Sequence, residues 1–392
     1  MSQRDNSHSR LTRRSWIVLA TSALAGCGGG SSGSGSTAGL PGTGGTGIYV
    51  QGSISGFGSV IVNGIKFDDV QASTNGFVQI DGVTLTSDHL RLGMVATVQG
   101  ERAAIGTLGT AHSIEVWSIA QGLVSPLVPS VAGGFLVAGM TVQTDDGTVF
   151  DGVSSVASML SSGMRVVVWG LQAGADGRHW TATRVAVSPG TDAVSTGIVS
   201  VTNAHRYLNG LLLTGSLAGT LSAGDLARVQ GTLISSGTSL TVASVKLLGP
   251  SAGVHPTGEV EIEGVVTTTP SAGRFSLGSI QVDAIGAVYI PAGAQIAKDD
   301  RIEVYGTWQA GVLKATRIEI ENAQTLGEVE IEAAIELVIS PGVFVVRGQR
   351  CDATLAIISH GTLADLILGA KVHLKGIMSG DVVKVTELEL DI

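Results

Sequence analysis

The sequence predicts an all-β chain: a tandem array of about five small β-barrels behind a processed leader and a flexible tether. Three observations predict it. Apolar residues alternate with period two almost throughout, with Gly or Pro turns roughly every 8–12 residues. A glycine-terminated strand end recurs five times. The first 47 residues share neither pattern.

The leader comes first. Arg4, Arg10, Arg13 and Arg14 form a positive stretch, and an apolar run from Trp16 to Ala25 follows. That run is too short to span a bilayer, which takes about 20 residues. It ends in Leu24-Ala25-Gly26-Cys27, which resembles the lipobox of bacterial lipoproteins. The resemblance implies cleavage before Cys27, a diacylglyceryl thioether on its sulfur and a fatty acid such as palmitate on its freed amine. Each buried methylene adds about 0.8 kcal/mol, so two or three chains make a firm membrane anchor. Thr12-Arg13-Arg14-Ser15-Trp16-Ile17 looks like a twin-arginine export signal with tryptophan in place of phenylalanine, and general secretion remains the alternative. Gly28 stands where an Asp would retain a Gram-negative lipoprotein at the inner membrane, so the expected location is the outer membrane of the cell envelope. Its periplasmic or surface face stays open.

Residues 27–47 are mostly Gly, Ser and Thr and read as a tether, because they have little apolar surface to bury. Gly42, Gly44 and Gly47 fit a dinucleotide-binding spacing, and Gly29, Ser31 and Gly33 a nucleophile elbow. Neither has the strand before it and helix after it that such motifs need.

Composition excludes some functions. Residues 1–26 hold four Arg and one Asp, so their removal takes the formal charge from −9 to −12. Nucleic-acid affinity rests on cations meeting phosphates, so no nucleic-acid partner is expected. Aromatic residues make up 4%, few for base stacking. With Cys27 acylated, Cys351 is alone, and no intrachain disulfide can form.

The repeats then set the domains. The strand end reads Ala96-Thr-Val-Gln-Gly100, Val166-Val-Val-Trp-Gly170, Ala227-Arg-Val-Gln-Gly231, Ile302-Glu-Val-Tyr-Gly306 and Val372-His-Leu-Lys-Gly376. Seven residues before each closing glycine lies Gly93, Gly163, Gly224, Asp299 or Gly369, all turn-formers. The closing glycines are 70, 61, 75 and 70 residues apart. A second aligned stretch is Val60 to Phe67, Phe135 to Val142, Phe275 to Val282 and Phe344 to Cys351. The expected β-domains are 48–118, 119–190, 191–250, 251–322 and 323–392. Unit three is the most divergent, being shorter and lacking the opening aromatic. Five or six strands in such a span would leave exposed edges unless the sheet closes, so an OB-like barrel is expected. Short helical turns are expected near Ser155–Leu160 and within Ala353–Leu368. The strands look too short, and aromatics too sparse, for a transmembrane barrel.

The lipobox, the tether and these repeats together resemble bacterial lipoproteins carrying domain of unknown function 5666. The residues that carry it are Phe135, Val137 and Gly139; Phe344, Val346 and Gly348; Leu90, Gly93, Ala96, Val98 and Gly100; Leu160, Gly163, Val166, Val168 and Gly170; and Leu313, Ala315 and Ile318. All are turn or strand positions, so the resemblance implies a fold and an address and offers no catalytic residue.

Candidate chemistry is thin. The histidines after the leader (His89, His112, His179, His205, His255, His360, His373) are scattered and do not have zinc spacing. Glu259, Glu261 and Glu263, and again Glu328, Glu330 and Glu332, alternate along strands. They read as solvated faces that discourage edge pairing, with calcium or a cationic partner as the alternative. Asp68-Asp69, Asp145-Asp146-Gly147 and Asp299-Asp300 read as turns. Cys351 aligns with Val282, Val142 and Phe67, which points to a buried thiol. Trp169 and Trp180 form a candidate sugar-facing pair. No catalytic residue, metal or cofactor is assigned. The sequence leans against an enzyme and towards a non-catalytic envelope protein, structural or binding, with another envelope protein or a polysaccharide as partner. The alternative is a periplasmic hydrolase or small-ligand carrier with a pocket in one divergent repeat.

Overall fold

The computed structural model describes residues 47–103, 106–234, 237–248, 258–321 and 327–391. The leader, Cys27, the tether through residue 46 and His255 lie outside the described residues.

In barrel one the first strand, Gly47–Phe57, runs antiparallel to Val60–Val62 and to Val95–Arg102. Val60–Val62 turns back into Ile65–Asp68, which lies parallel to the last strand, Leu108–Val116. That strand pairs with Val95–Arg102, so the sheet closes in the order 1-2-3-5-4-1. This is the ring of an OB-like barrel. The same ring forms from Ala120 to Val187, Ala193 to Leu247, Glu259 to Ile320 and Glu328 to Asp391. The described residues therefore form five small barrels, as the repeats predict.

Local chemistry explains the repeated letters. The second and third strands join through two-residue turns with both φ positive at Asn63-Gly64, Ala138-Gly139, Asn209-Gly210 and Arg347-Gly348. Such turns match the right-handed twist of a hairpin. The closing glycine of every unit follows a register shift: Gln99/Gly100, Trp169/Gly170, Gln230/Gly231, Tyr305/Gly306 and Lys375/Gly376. A Cβ there would come 2.1 Å from the Thr110 carbonyl at Gly100 and 1.9 Å from that of Thr241 at Gly231. The glycine lets two backbones touch where the bulge bends the strand into a closed ring. The position seven residues earlier has positive φ in every unit, and Asp299 holds it at 76° without being glycine.

The aligned stretch of the second and third strands has a geometric basis. Its ends are cross-strand partners: Val60 with Phe67, Phe135 with Val142, Phe275 with Val282, and Phe344 with Cys351. Each pair puts one large and one small side chain into the barrel, and in barrel one the two have changed strands. Core volume is conserved although the letters are not. The Cys351 thiol is fully buried, and burial pushes it up to about 12. In barrel three Arg206 faces Leu213 at this position and donates to the carbonyls of Leu221 and Gly219. That barrel is filled instead by Leu208, Leu211, Leu213 and Leu221.

The barrels are tandem in sequence, but their described residues pack into one body. The first strand of barrel one is the seam. Ile48–Gln51 pair parallel with Glu259–Ile262 of barrel four, on the edge opposite Val95–Arg102. Gly56 and Phe57 pair parallel with Glu330 and Ile331 of barrel five. Two other barrels thus cover strand edges that would otherwise be exposed. Barrels one and five share one apolar cluster, which Val149, Trp169 and Ala186 of barrel two enter.

Ser155 caps the helix Val156–Ser162 with its hydroxyl, close to the expected turn. In the 353–368 stretch the expected helical turn is confined to three residues. It is the single 3-10 turn Leu363–Asp365, and a short strand, Ile357–Ser359, precedes it. Leu355, Ile357, Ile367 and Leu368 are all exposed, and only Ala353 and Leu366 of the stretch are buried, too far apart to hold a longer helix down.

Candidate functional site

Period-two alternation gives barrel one a patterned outer wall. Val50, Ala96, Val98, Ile114 and Val116 fill its interior. Their neighbours Tyr49, Gln51, Thr97, Gln99, Glu115 and Trp117 therefore face outward along the first, fourth and fifth strands. They form one side of a cleft of about 420 Å³, where barrels two, three and four meet barrel one. Barrel two adds Gln172 and Trp180, barrel three Lys246, and barrel four Glu263 and Trp308. This volume falls in the range of small-molecule sites, roughly 300–1,000 Å³. A hollow of about 540 Å³ on barrel four, lined by residues 270–273 and 292–296 among others, offers no charged side chain.

The cleft's side chains are held in place. Arg228 and Lys246 both approach the Trp117 ring, with their charged groups 5.1 and 4.8 Å from its centre. Arg228 donates to the Ser118 carbonyl at 2.6 Å and pairs with Asp81 at 2.8 Å. Lys246 pairs with Glu115 at 2.8 Å. Trp180 donates its indole N–H to the Gly177 carbonyl at 2.9 Å. Burial raises the Tyr49 phenol above its ordinary value.

Beneath the cleft lies a buried carboxylate cluster. Glu263 accepts from the backbone and hydroxyl of Ser53, at 2.7 and 3.0 Å, and from Arg301. Arg301 also reaches Asp145 of barrel two at 3.3 Å. One guanidinium thus ties barrels one, two and four. Glu261 is 1% exposed, and neither of its carboxylate oxygens has a hydrogen-bond partner among the described residues. Its ion pair is Arg102 of barrel one, at 3.7 Å. Burial pushes Glu261 up to about 7. Glu303 accepts from the Tyr305 hydroxyl at 2.7 Å, and burial carries it well above the carboxylate range.

This corrects the expectation of a solvated face for the first glutamate row. Glu259 is exposed, but the parallel strand of barrel one seals in Glu261 and Glu263. The second row stays closer to expectation: Glu328 and Glu332 are exposed, and half-buried Glu330 pairs with Lys66 and His373. Trp169 and Trp180 do not form a pair. They lie in different apolar clusters, 5% and 6% exposed. Asp283 and Asp352 end their strands by accepting a backbone N–H two residues on, and each pairs with a lysine of the last strand, Lys314 or Lys384. The Lys384 hydrogen bond holds Asp352 down at about 2. Among the described residues no group of three or more His, Cys, Asp or Glu is placed to hold a metal ion. No helix among them is long and apolar enough to cross a membrane.

Fold and site together define a compact assembly of OB-like barrels whose ligand-sized cleft lies between barrels, not inside one. Residues 121–186 and 263–319, which span most of barrels two and four, match the model of the family described as Domain of unknown function (DUF5666). No curated protein matches the chain. Among solved structures, "drosophila Unr CSD456" is similar over 44% of this chain and 79% of its own, at 14% identity and a TM-score of 0.14.

Proposed function

We propose that this is a lipid-anchored, non-catalytic protein of the bacterial envelope whose body binds a polysaccharide segment in the inter-barrel cleft. The observation that carries the binding reading is the cleft's wall of fixed aromatic rings and carboxamides. Both carboxylates facing the cleft are already committed, Glu263 to Arg301 and Ser53 and Glu115 to Lys246, which suits support better than proton transfer. The anchor reading rests on Leu24-Ala25-Gly26-Cys27, and the outer-membrane location on Gly28.

Intact mass and fractionation of the full-length chain against Cys27→Ala test the address. The expected result is a diacyl or triacyl mass on Cys27, with membrane association lost in the variant. An unlipidated, freely soluble wild-type protein would overturn it.

A further inference from the structure

We propose that the cleft takes an uncharged saccharide chain. The inference rests on the binding reading above and adds the ligand's chemical class. It stands on what the cleft offers and on what it withholds.

The cleft offers flat apolar surfaces beside amides. Tyr49, Trp117, Trp180 and Trp308 come from three barrels and present rings to one space. A sugar ring has faces of C–H groups that lie against such rings, and Trp and Tyr supply large contact area at little entropic cost. Gln51, Gln99 and Gln172 line the same space. A carboxamide both donates and accepts, which matches hydroxyls that do the same.

The cleft withholds an uncommitted charge. Its charged lining residues are Glu115, Lys246 and Glu263, and each already has an opposite charge from the protein. A phosphate or uronate would have to break the Glu115–Lys246 pair to find a cation. A basic peptide would have to compete with Arg301 for Glu263. A neutral polyol needs neither. The wall also uses the first, fourth and fifth strands of barrel one, not the strand 2–3 face on which OB barrels usually bind. The site therefore depends on assembly of the barrels.

Three of the five tryptophans line the cleft, and a fourth, Trp16, leaves with the leader. Intrinsic fluorescence of the mature chain carrying Cys27→Ala is thus a direct readout. The probes are neutral oligosaccharides of glucose and of N-acetylglucosamine, an oligogalacturonate, a lysine-rich peptide and an oligothymidylate. The expected result is a saturable shift with a neutral oligosaccharide alone, weakened at least tenfold in Trp308→Ala and severalfold in the exposed variant Gln99→Leu. A saturable shift with the oligogalacturonate and none with neutral sugars would overturn the uncharged class while leaving a saccharide in the cleft, and a shift with the peptide or the oligothymidylate alone would overturn the saccharide reading as well while leaving the cleft as the site. No shift with any probe would overturn both the class and the cleft. A neutral-sugar shift unchanged in both variants would place the sugar elsewhere and overturn both as well.

Discussion

Arg301→Ala is expected to destabilise the body by about 3–5 kcal/mol, the usual cost of removing one partner from a buried ion pair. The Arg301 side chain is 11% exposed and that of Glu263 5%. The variant strips Glu263 of its cation and leaves it only the backbone and hydroxyl of Ser53. It also cuts the tie to Asp145, so barrels one, two and four lose a common contact. Equilibrium denaturation gives the loss, and limited proteolysis locates it in the strands around Ser53 and Glu263. A change below about 1 kcal/mol would mean that the junction behaves like a surface pair.

Glu261→Gln is expected to act in the opposite direction and only above acidic pH. In the folded chain Glu261 is pushed from 4.5 up to about 7. Below pH 4.5 the folded and unfolded chains both hold the proton. Between 4.5 and 7 the unfolded chain releases it while the folded chain keeps it, so stability falls as pH rises. Above 7 both are ionised and the loss is complete, on the order of 3 kcal/mol. Glu303 is raised for the same reason and adds a loss of the same sign. Asp352 opposes them only in acid, since its depressed value contributes stability that is lost as pH falls towards 2. Glutamine carries no charge to desolvate, and its amide can donate to the Asn63 Oδ1, a buried acceptor without a partner among the described residues. The variant should match wild type at pH 4, exceed it at pH 8, and show a flatter stability profile between. Equal stability at pH 8 would show that Glu261 is ionised and solvated in the folded state.

The two predictions share a lesson about what the sequence displays. The barrels were legible because each fixes the same few positions: a glycine where a bulge brings backbones together, a turn-former at positive φ, and a large and a small core residue facing each other. Asp299 and the exchanged Val60 and Phe67 satisfy the same demands with other letters. The site was not legible, because it is built from the positions between. Within the repeated strand end the outward residues are Thr97 and Gln99, Val167 and Trp169, Arg228 and Gln230, Glu303 and Tyr305, and His373 and Lys375. As pairs they differ from unit to unit, although Gln recurs at 99 and 230, because each meets a different neighbour: Trp169 enters the barrel one and five cluster and Arg228 reaches Asp81 of barrel one, while His373 meets Glu330 of its own barrel. Period two shows that such a residue points out of its own barrel. It does not show which other barrel comes to meet it, so a glutamate row that reads as solvated can lie against a strand of another barrel. The signal available was the variation itself, since interchangeable solvated positions rarely hold Trp and Tyr at one site of a repeat.

The claim on which the cleft depends is that five tandem barrels form one body, and small-angle X-ray scattering of the mature chain with Cys27→Ala tests it most directly. A compact domain of this length has a radius of gyration of about 20 Å, increased a little by the tether. That value, together with a single cooperative unfolding transition, is the predicted result. A radius on the order of 40 Å, as expected for five separate barrels in a line, would contradict the account, because the cleft would then have no walls.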